Sequence, residues 1–270
     1  MKLAHETVRR GGATSSLGGQ PTVLPDVDAD RAAATAEGQL ALPIAVEPDD
    51  GPERRWTEVL PGVVHVPGWL DLDAQRGLVG DFRRWALPPA GLRHPRVPTG
   101  QLMSVQSVCL GWHWWPYRYS RTADDTDGAP VKPLPQEVVD LSRRAVGAAY
   151  GDDGPEMRDY APDAAIVNLY APGARLGLHQ DGEEPSAAPV VTISLGDTCT
   201  FRIAGVDRRT GPFTDIELRS GDLLVFGGPS RRIFHGVPKV RPGTAPAGLG
   251  LVPGRLSLTV RETGLTEEDR

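Results

Sequence analysis

From about residue 164 the chain is a succession of short apolar segments: DAAIVNLY, APVVTISL, TCTFRIAG, FTDIELRS, DLLVFGG, RRIFHGV and RLSLTVRE. Each is β-branched or alternating, and Gly, Pro or Asp separates one from the next. Pieces this short cannot build a helical core, and many short strands with glycine-rich turns imply a sandwich or barrel of the jelly-roll kind. Two helices are predicted upstream. Residues 71–86 place Leu72, Leu78, Val79, Phe82 and Trp85 at helical spacing, with Asp71 or Asp73 as the cap, and in 135–150 Val138, Leu141, Val146 and Ala149 recur along one face. Between Glu58 and Trp69, EVLPGVVHVPGW reads as short strands broken by Pro-Gly turns. The predicted class is mainly β (α+β), a jelly-roll core with N-terminal helices packed on it.

Residues 1–53, rich in Ala, Gly, Asp, Glu and Pro without apolar periodicity, read as a disordered or loosely attached extension, which leaves 54–270 as the domain. Cys109 and Cys199 are too few for a disulfide framework and predict reduced thiols in a cytoplasmic protein. No apolar run has membrane-spanning length, and no signal segment is read at the start, so no membrane partner is expected. The net charge of -6 argues against coating nucleic acid by bulk electrostatics. It leaves room for local patches: residues 229–255 carry Arg231, Arg232, Lys239, Arg241 and Arg255 with no acid.

The stretch RLGLHQDGEEP holds His179 and Asp181 two residues apart, on one face if the strand continues. His235, at the end of the strand-like RRIFH, offers a third ligand, and Gly236 lets the chain turn away after it. Two histidines and a carboxylate on one side of a metal are the set used by non-haem Fe(II) oxygenases. Alone, His-x-Asp reads first as a surface loop. The last strand adds weight, because Arg255, Ser257, Thr259 and Arg261 share one face and Leu256, Leu258 and Val260 the other. Such a strand is either an exposed edge or the wall of an anion pocket, where guanidinium grips a carboxylate. Ile166, Asn168 and Tyr170 share a face of DAAIVNLY and pose the same choice. In GWHWWPYRYSR, tryptophans and tyrosines alternate with Arg118 and Arg121, as suits either an aromatic core or the stacking of an unpaired base.

Taken together, PDAAIVNLYAPGARLGLHQDGEEP, VVTISLGDTCTFRIAG, SGDLLVFGGPSRRIFHGVPKV and GRLSLTVRETG resemble the AlkB proteins, as does PTGQLMSVQSVCLGWHWWPYRYS upstream. These are Fe(II)- and 2-oxoglutarate-dependent dioxygenases that repair alkylated nucleic-acid bases. The resemblance runs over roughly residues 60 to 264. It implies a double-stranded β-helix, with iron held by His179, Asp181 and His235, 2-oxoglutarate as cosubstrate and O2 as oxidant. It assigns Arg255 to the distal carboxylate of the cosubstrate, Arg261 to the second arginine of that pocket, and Asn168 and Tyr170 to its polar wall. Ser257 stands where the best-known members have an asparagine touching the cosubstrate.

For the substrate, the resemblance assigns Trp112 to stacking on the damaged base. Tyr117 and Tyr119 fall in a lid spanning about 97–125, Glu183 contacts the base, and Arg208 lines the same pocket. Glu183 is one methylene longer than the usual aspartate, and the Trp112–Tyr117 link is about two residues shorter than in enterobacterial members. The implied activity is oxidative dealkylation of 1-methyladenine and 3-methylcytosine by a monomer acting on single-stranded or locally unpaired DNA, with RNA as a further polymer. Two other readings stand beside it: RNA, tRNA or small-molecule hydroxylation with the same chemistry, and a non-catalytic metal-binding jelly roll. Arg255 and Arg261 weigh against the last, since a structural metal needs no anion clamp.

Overall fold

Hydrophobic alternation organises the chain around one strand buried on both faces. The computed structural model describes residues 55–268 except 155–157, 252 and 267; the extension assigned to residues 1–53 lies outside the described residues. In chain order the elements are β1 (Thr57–Leu60), β2 (Val63–Val66), α1 (Leu72–Trp85), β3 (Gln106–Leu110), β4 (His113–Trp115), β5 (Arg118–Ser120) and α2 (Gln136–Tyr150). There follow β6 (Ala164–Tyr170), β7 (Leu176–His179), β8 (Val190–Gly196), β9 (Cys199–Ile203), β10 (Thr214–Leu218), β11 (Leu223–Phe226), β12 (His235–Val240) and β13 (Arg255–Arg261). Both predicted helices form. Asp71 caps α1, its carboxylate accepting from the Ala74 N–H at 2.8 Å. None of the described helices is long and apolar enough to cross a membrane.

The strands build a seven-stranded sheet, β1-β2-β11-β8-β13-β6-β3, and a four-stranded sheet, β10-β9-β12-β7, with every pairing antiparallel. β13 lies between β8 and β6, which excludes the exposed-edge alternative for RLSLTVR. Its apolar residues Leu256, Leu258 and Val260 pack with Val79 and Phe82 of α1 and Val138 and Val146 of α2 in one core. Each such burial stabilises by about 1.5–3 kcal/mol. A second core holds Tyr170, Phe201, Ile203, Leu224, Phe226 and Val237. The alternate residues of β13, Arg255, Ser257, Thr259 and Arg261, are buried as well, on the opposite face from the helices. The register sets Ser257 opposite Asn168 and Arg255 opposite Tyr170, so the two polar faces recognised in the sequence form one surface.

Two local expectations change. His235 opens β12 instead of ending a strand, because the residues before it form a 3-10 turn (Gly228–Ser230) and a loop braced by the buried Arg231. β7 stops at His179, so Asp181 stands two residues past the strand end, in a loop.

The link from β3 to β4 depends on Gly111. It adopts φ 78°, and a Cβ there would lie 1.9 Å from the Asp163 carbonyl oxygen. Gly111→Ala is therefore expected to destabilise the protein by about 3 kcal/mol, from left-handed strain plus a backbone clash. Urea unfolding of the variant measures this, and a loss below about 1 kcal/mol would mean that the turn relaxes freely.

Candidate active site

β7 and β12 pair antiparallel with His179 directly opposite His235, and their rings stand 4.4 Å apart between centroids. The loop after β7 brings in Asp181, whose Oδ1 lies 3.6 Å from His179 Nε2 and Oδ2 3.9 Å from His235 Nε2. The three ligand atoms all lie within 4.8 Å of one another. Each imidazole has its Nδ1 next to a backbone carbonyl, Gly177 O at 3.0 Å for His179 and Ile233 O at 3.2 Å for His235. That bond fixes the tautomer and turns the Nε2 lone pairs toward Asp181.

Electrostatics prepare the same set for a cation. Burial, then the neighbouring His179, push the His235 imidazole down to about 4, so it is neutral at physiological pH. Burial alone would raise the Asp181 pKa, but the Arg261 guanidinium, then His235 and His179, outweigh it and keep the carboxylate charged. Asp181 Oδ2 is 2.8 Å from Arg261 Nη2, yet it receives no hydrogen bond of good geometry. Two imidazoles and an anionic carboxylate with a lone pair to spare are the donors that Fe(II) takes. The residues fit the metal.

Beside this centre is a cavity of about 30 Å³ lined by Asn168, Tyr170, Thr192, Ser257, Thr259 and Arg261 together with both histidines. Arg255 backs it with 0% exposure and, among the described residues, no carboxylate partner. Its Nε donates to Ser194 Oγ at 3.0 Å and its Nη2 to Ser257 Oγ at 3.4 Å, while Nη1 has no bond and its plane lies 5.0 Å from the Tyr170 ring. A buried guanidinium with a free donor and no acid is an incomplete pair, and a ligand carboxylate completes it. Ser257 supplies a hydroxyl to Arg255 where an asparagine would have reached the cosubstrate.

A larger chamber, about 220 Å³, opens over His179 and Asp181 and is lined by Trp114, Pro116, Tyr117, Glu183, Arg209 and Arg261 among others. Several expected substrate residues are placed differently from the expectation. Trp112 does not reach the chamber. It is 0% exposed, packed with Tyr119 and Ala164, with its Nε1 donating to Asp163 at 2.9 Å and the Arg121 guanidinium 3.5 Å from its ring. The tight turn at Gly111 tucks it under the sheet, and Trp114 on β4 lines the chamber instead. Tyr119 is buried too, donating to Glu184 Oε1 at 2.5 Å and accepting from Arg261 Nη1 at 3.0 Å. Tyr117, 72% exposed at φ 75°, stands at the rim of the chamber. Glu183 lines the chamber half-buried, and burial, then Glu184 and Asp181, raise its pKa. Arg208 is exposed and outside the lining; its neighbour Arg209 takes that position and donates to Leu178 O at 2.5 Å.

Of the basic residues in 229–255, Arg255 and Arg231 are buried and Arg232 turns back onto the ligand loop, while Lys239 and Arg241 are exposed, Arg241 paired with Glu217. Arg231 is buried, donating to Ala188 O at 2.7 Å and Asp181 O at 3.2 Å, and Arg232 bonds Asp181 O and, at 2.6 Å, Glu184 O. They brace the ligand loop from behind. Sequence reasoning passed over Glu184, which is buried and paired with Arg261 at 3.3 Å and Arg231 at 3.4 Å. The adjacent GEEP acids were the only signal for it.

A pleated sandwich that carries two histidines, an aspartate and a buried arginine pocket defines a 2-oxoglutarate- and iron-dependent oxygenase. The family described as the 2OG-Fe(II) oxygenase superfamily matches residues 62–261. The chain is 41% identical over 211 residues to an alpha-ketoglutarate-dependent dioxygenase AlkB homolog of Caulobacter vibrioides, covering 75% of this chain and 88% of that one. It is 34% identical to the DNA N(6)-methyladenine demethylase ALKBH1C of Arabidopsis thaliana, over 76% of this chain and 49% of the relative. The solved structure of OsALKBH1 superposes with a TM-score of 0.69 at 33% identity, covering 77% of this chain and 99% of that one. The chain belongs to the AlkB family of Fe(II)- and 2-oxoglutarate-dependent dioxygenases.

The buried neutral histidine gives a pH signature to the metal-free protein. Unfolded, His235 takes up its proton near 6.5, and folded only near 4. The unfolded state therefore binds the extra proton in that window, and stability falls as the pH drops through it, by about 3 kcal/mol. Urea unfolding of metal-free protein between pH 7 and pH 4 should show this slope, and His235→Gln should flatten it.

Proposed function

We propose that the chain removes N-alkyl groups from nucleobases, with 1-methyladenine and 3-methylcytosine in DNA as the leading substrates and RNA as a further polymer. The observation that carries this reading is the chamber itself, which joins the His179–Asp181 end of the ligand set to an aromatic wall and an acid. A flat base fits against Trp114, and Glu183 complements the positive charge that N-methylation gives adenine or cytosine. Similarity to a relative named as a DNA demethylase supports a nucleic-acid substrate. With iron and 2-oxoglutarate bound and O2 as oxidant, the site would supply oxidation of the N-methyl carbon, one oxygen atom entering a hydroxymethyl group that leaves as formaldehyde and the other entering the succinate formed as 2-oxoglutarate loses CO2.

The roles of the protein follow from its donors. His179, Asp181 and His235 hold the metal from one side and leave its other positions to ligands. Arg255 takes the distal carboxylate of 2-oxoglutarate, and Asn168, Tyr170 and Ser257 form the wall beside it. Arg261 keeps Asp181 ionised, Tyr117 covers the entrance, and Arg209 offers a guanidinium to the backbone of the strand. A base reaches the chamber only after leaving its stack, so single strands and weakened pairs are preferred.

Formaldehyde release by purified protein with Fe(II), 2-oxoglutarate and ascorbate tests the reading on DNA and RNA oligonucleotides carrying either lesion. Release is expected from at least one polymer and should vanish in His235→Ala; no release from any would refute base dealkylation. Arg255→Ala should raise KM for 2-oxoglutarate about a hundredfold, the scale of a buried charge pair losing one partner. An unchanged KM would place the cosubstrate elsewhere.

A further inference from the structure

Next to Trp114 lies a buried ionic cluster for which the chemistry above has no use. Cys109 comes from β3, His113 from β4, Arg93 from the segment after α1 and Asp125 from the segment after β5. Cys109, His113 and Arg93 are buried, and the Asp125 side chain is 12% exposed. His113 Nε2 lies 2.5 Å from Asp125 Oδ1, and Arg93 Nε reaches both oxygens of that carboxylate at 3.2 Å. Arg93 Nη1 donates to Ser107 O at 2.9 Å and lies 3.6 Å from Cys109 Sγ.

Both polar groups of the Trp114 backbone end on this cluster. Its N–H donates to Cys109 Sγ at 3.4 Å, and its carbonyl accepts from Arg93 Nη2. Burial would raise the Cys109 thiol, but Arg93 and His113 outweigh it and lower its pKa. Burial would lower His113, but Asp125 and Cys109 outweigh it and raise its pKa. An apolar filling of the same volume would serve stability as well as buried charges do. What charges add is direction, because each bond fixes an angle as well as a distance.

We propose that Cys109, His113, Arg93 and Asp125 are positioning residues for the base site: by gripping the Trp114 peptide they hold its ring as a wall of the chamber. The inference rests on Trp114 being the residue that stacks on the base. It separates the two halves of catalysis, since among the described residues no bond joins the cluster directly to the metal ligands or to Arg255, and its link to that pocket runs through Ser107, which bonds Asn168. Disturbing it should weaken capture of the alkylated strand and leave turnover of the captured strand nearly intact.

Steady-state kinetics on a methylated oligonucleotide, with melting temperatures alongside, provide the test. Cys109→Ala should raise KM about tenfold with kcat within about twofold, the scale of one charge-assisted hydrogen bond. Cys109→Ser keeps an acceptor for the Trp114 N–H but not an ionisable one, and should fall between the two. Asp125→Asn, which removes charge without volume, should show the same split and serves if the cysteine variants do not fold. Trp114→Ala is the reference. If it raises KM while Cys109→Ala and Asp125→Asn leave KM within about twofold, whatever their melting temperatures, the positioning inference alone is overturned. An equal loss in kcat, with KM unmoved, also overturns it. If Trp114→Ala itself leaves KM unchanged, the assignment of Trp114 to the base falls, and the inference falls with it.

Discussion

The site depends on one buried ion pair, Arg261 with Asp181. Asp181 is a carboxylate with almost no access to water, placed near a second buried acid, Glu184. Burial alone would raise the pKa of Asp181, and a protonated Asp181 would offer a metal a neutral and poor ligand. Arg261 prevents this by lying 2.8 Å from Asp181 and 3.3 Å from Glu184, on the last residue of the central strand. Arg231 adds a second buried guanidinium against Glu184 at 3.4 Å. The guanidinium of Arg232, 3.9 Å from Glu184, is a third, so three guanidiniums face two acids before any metal arrives. The site is preformed electrostatically, and a divalent ion meets acids that are already compensated.

β13 can carry that pair because its polar face is as deeply buried as its apolar one. Alternation in RLSLTVR was visible in the sequence, but alternation alone cannot distinguish a solvated face from a lined pocket. Sheet order removes the edge, since β13 is flanked by both β8 and β6, and the burial of Arg255, Ser257, Thr259 and Arg261 shows that its polar face is covered as well. Once it is interior, Arg255 becomes informative. Burying a guanidinium with a free Nη1 and no acid beside it is costly, and a bound carboxylate removes the cost. The resemblance had assigned this arginine to 2-oxoglutarate, and its surroundings supply an independent physical reason.

The residues that sequence reasoning placed well are those tied to strand period and register. His179 was recognised from its spacing to Asp181 and His235 as a further ligand beside a strand-like run. The fold sets them opposite each other across one ladder, although the chain runs on through Gly236 as β12 instead of turning away there. The misplaced residues sit where a turn or a long-range partner decides. Trp112 and Trp114 are indistinguishable by composition or by parity. The left-handed Gly111 and the tight turn after it bury the first of them, while the second lines the chamber. Arg231 and Arg232 looked like an unpaired basic run because their partners, Asp181 and Glu184, lie some fifty residues away in sequence. The resemblance made Tyr119 a lid residue, and the partners that bury it, Glu184 and Arg261, are likewise remote in sequence.

Tyr119 shows how the substrate and metal sides share one frame. It belongs to the same hairpin as Trp114 and Tyr117, β4–β5, yet its hydroxyl bonds the guanidinium that neutralises Asp181. The hairpin is thus pinned at two points: at Trp114 by the Cys109–Arg93 cluster and at Tyr119 by the Arg261–Glu184 pair. Between these points runs the exposed Pro116–Tyr117 tip, where the chain takes its left-handed turn. Buried charge-assisted bonds thus hold both ends of the hairpin, and through them the wall beside the metal centre is tied to the sheet.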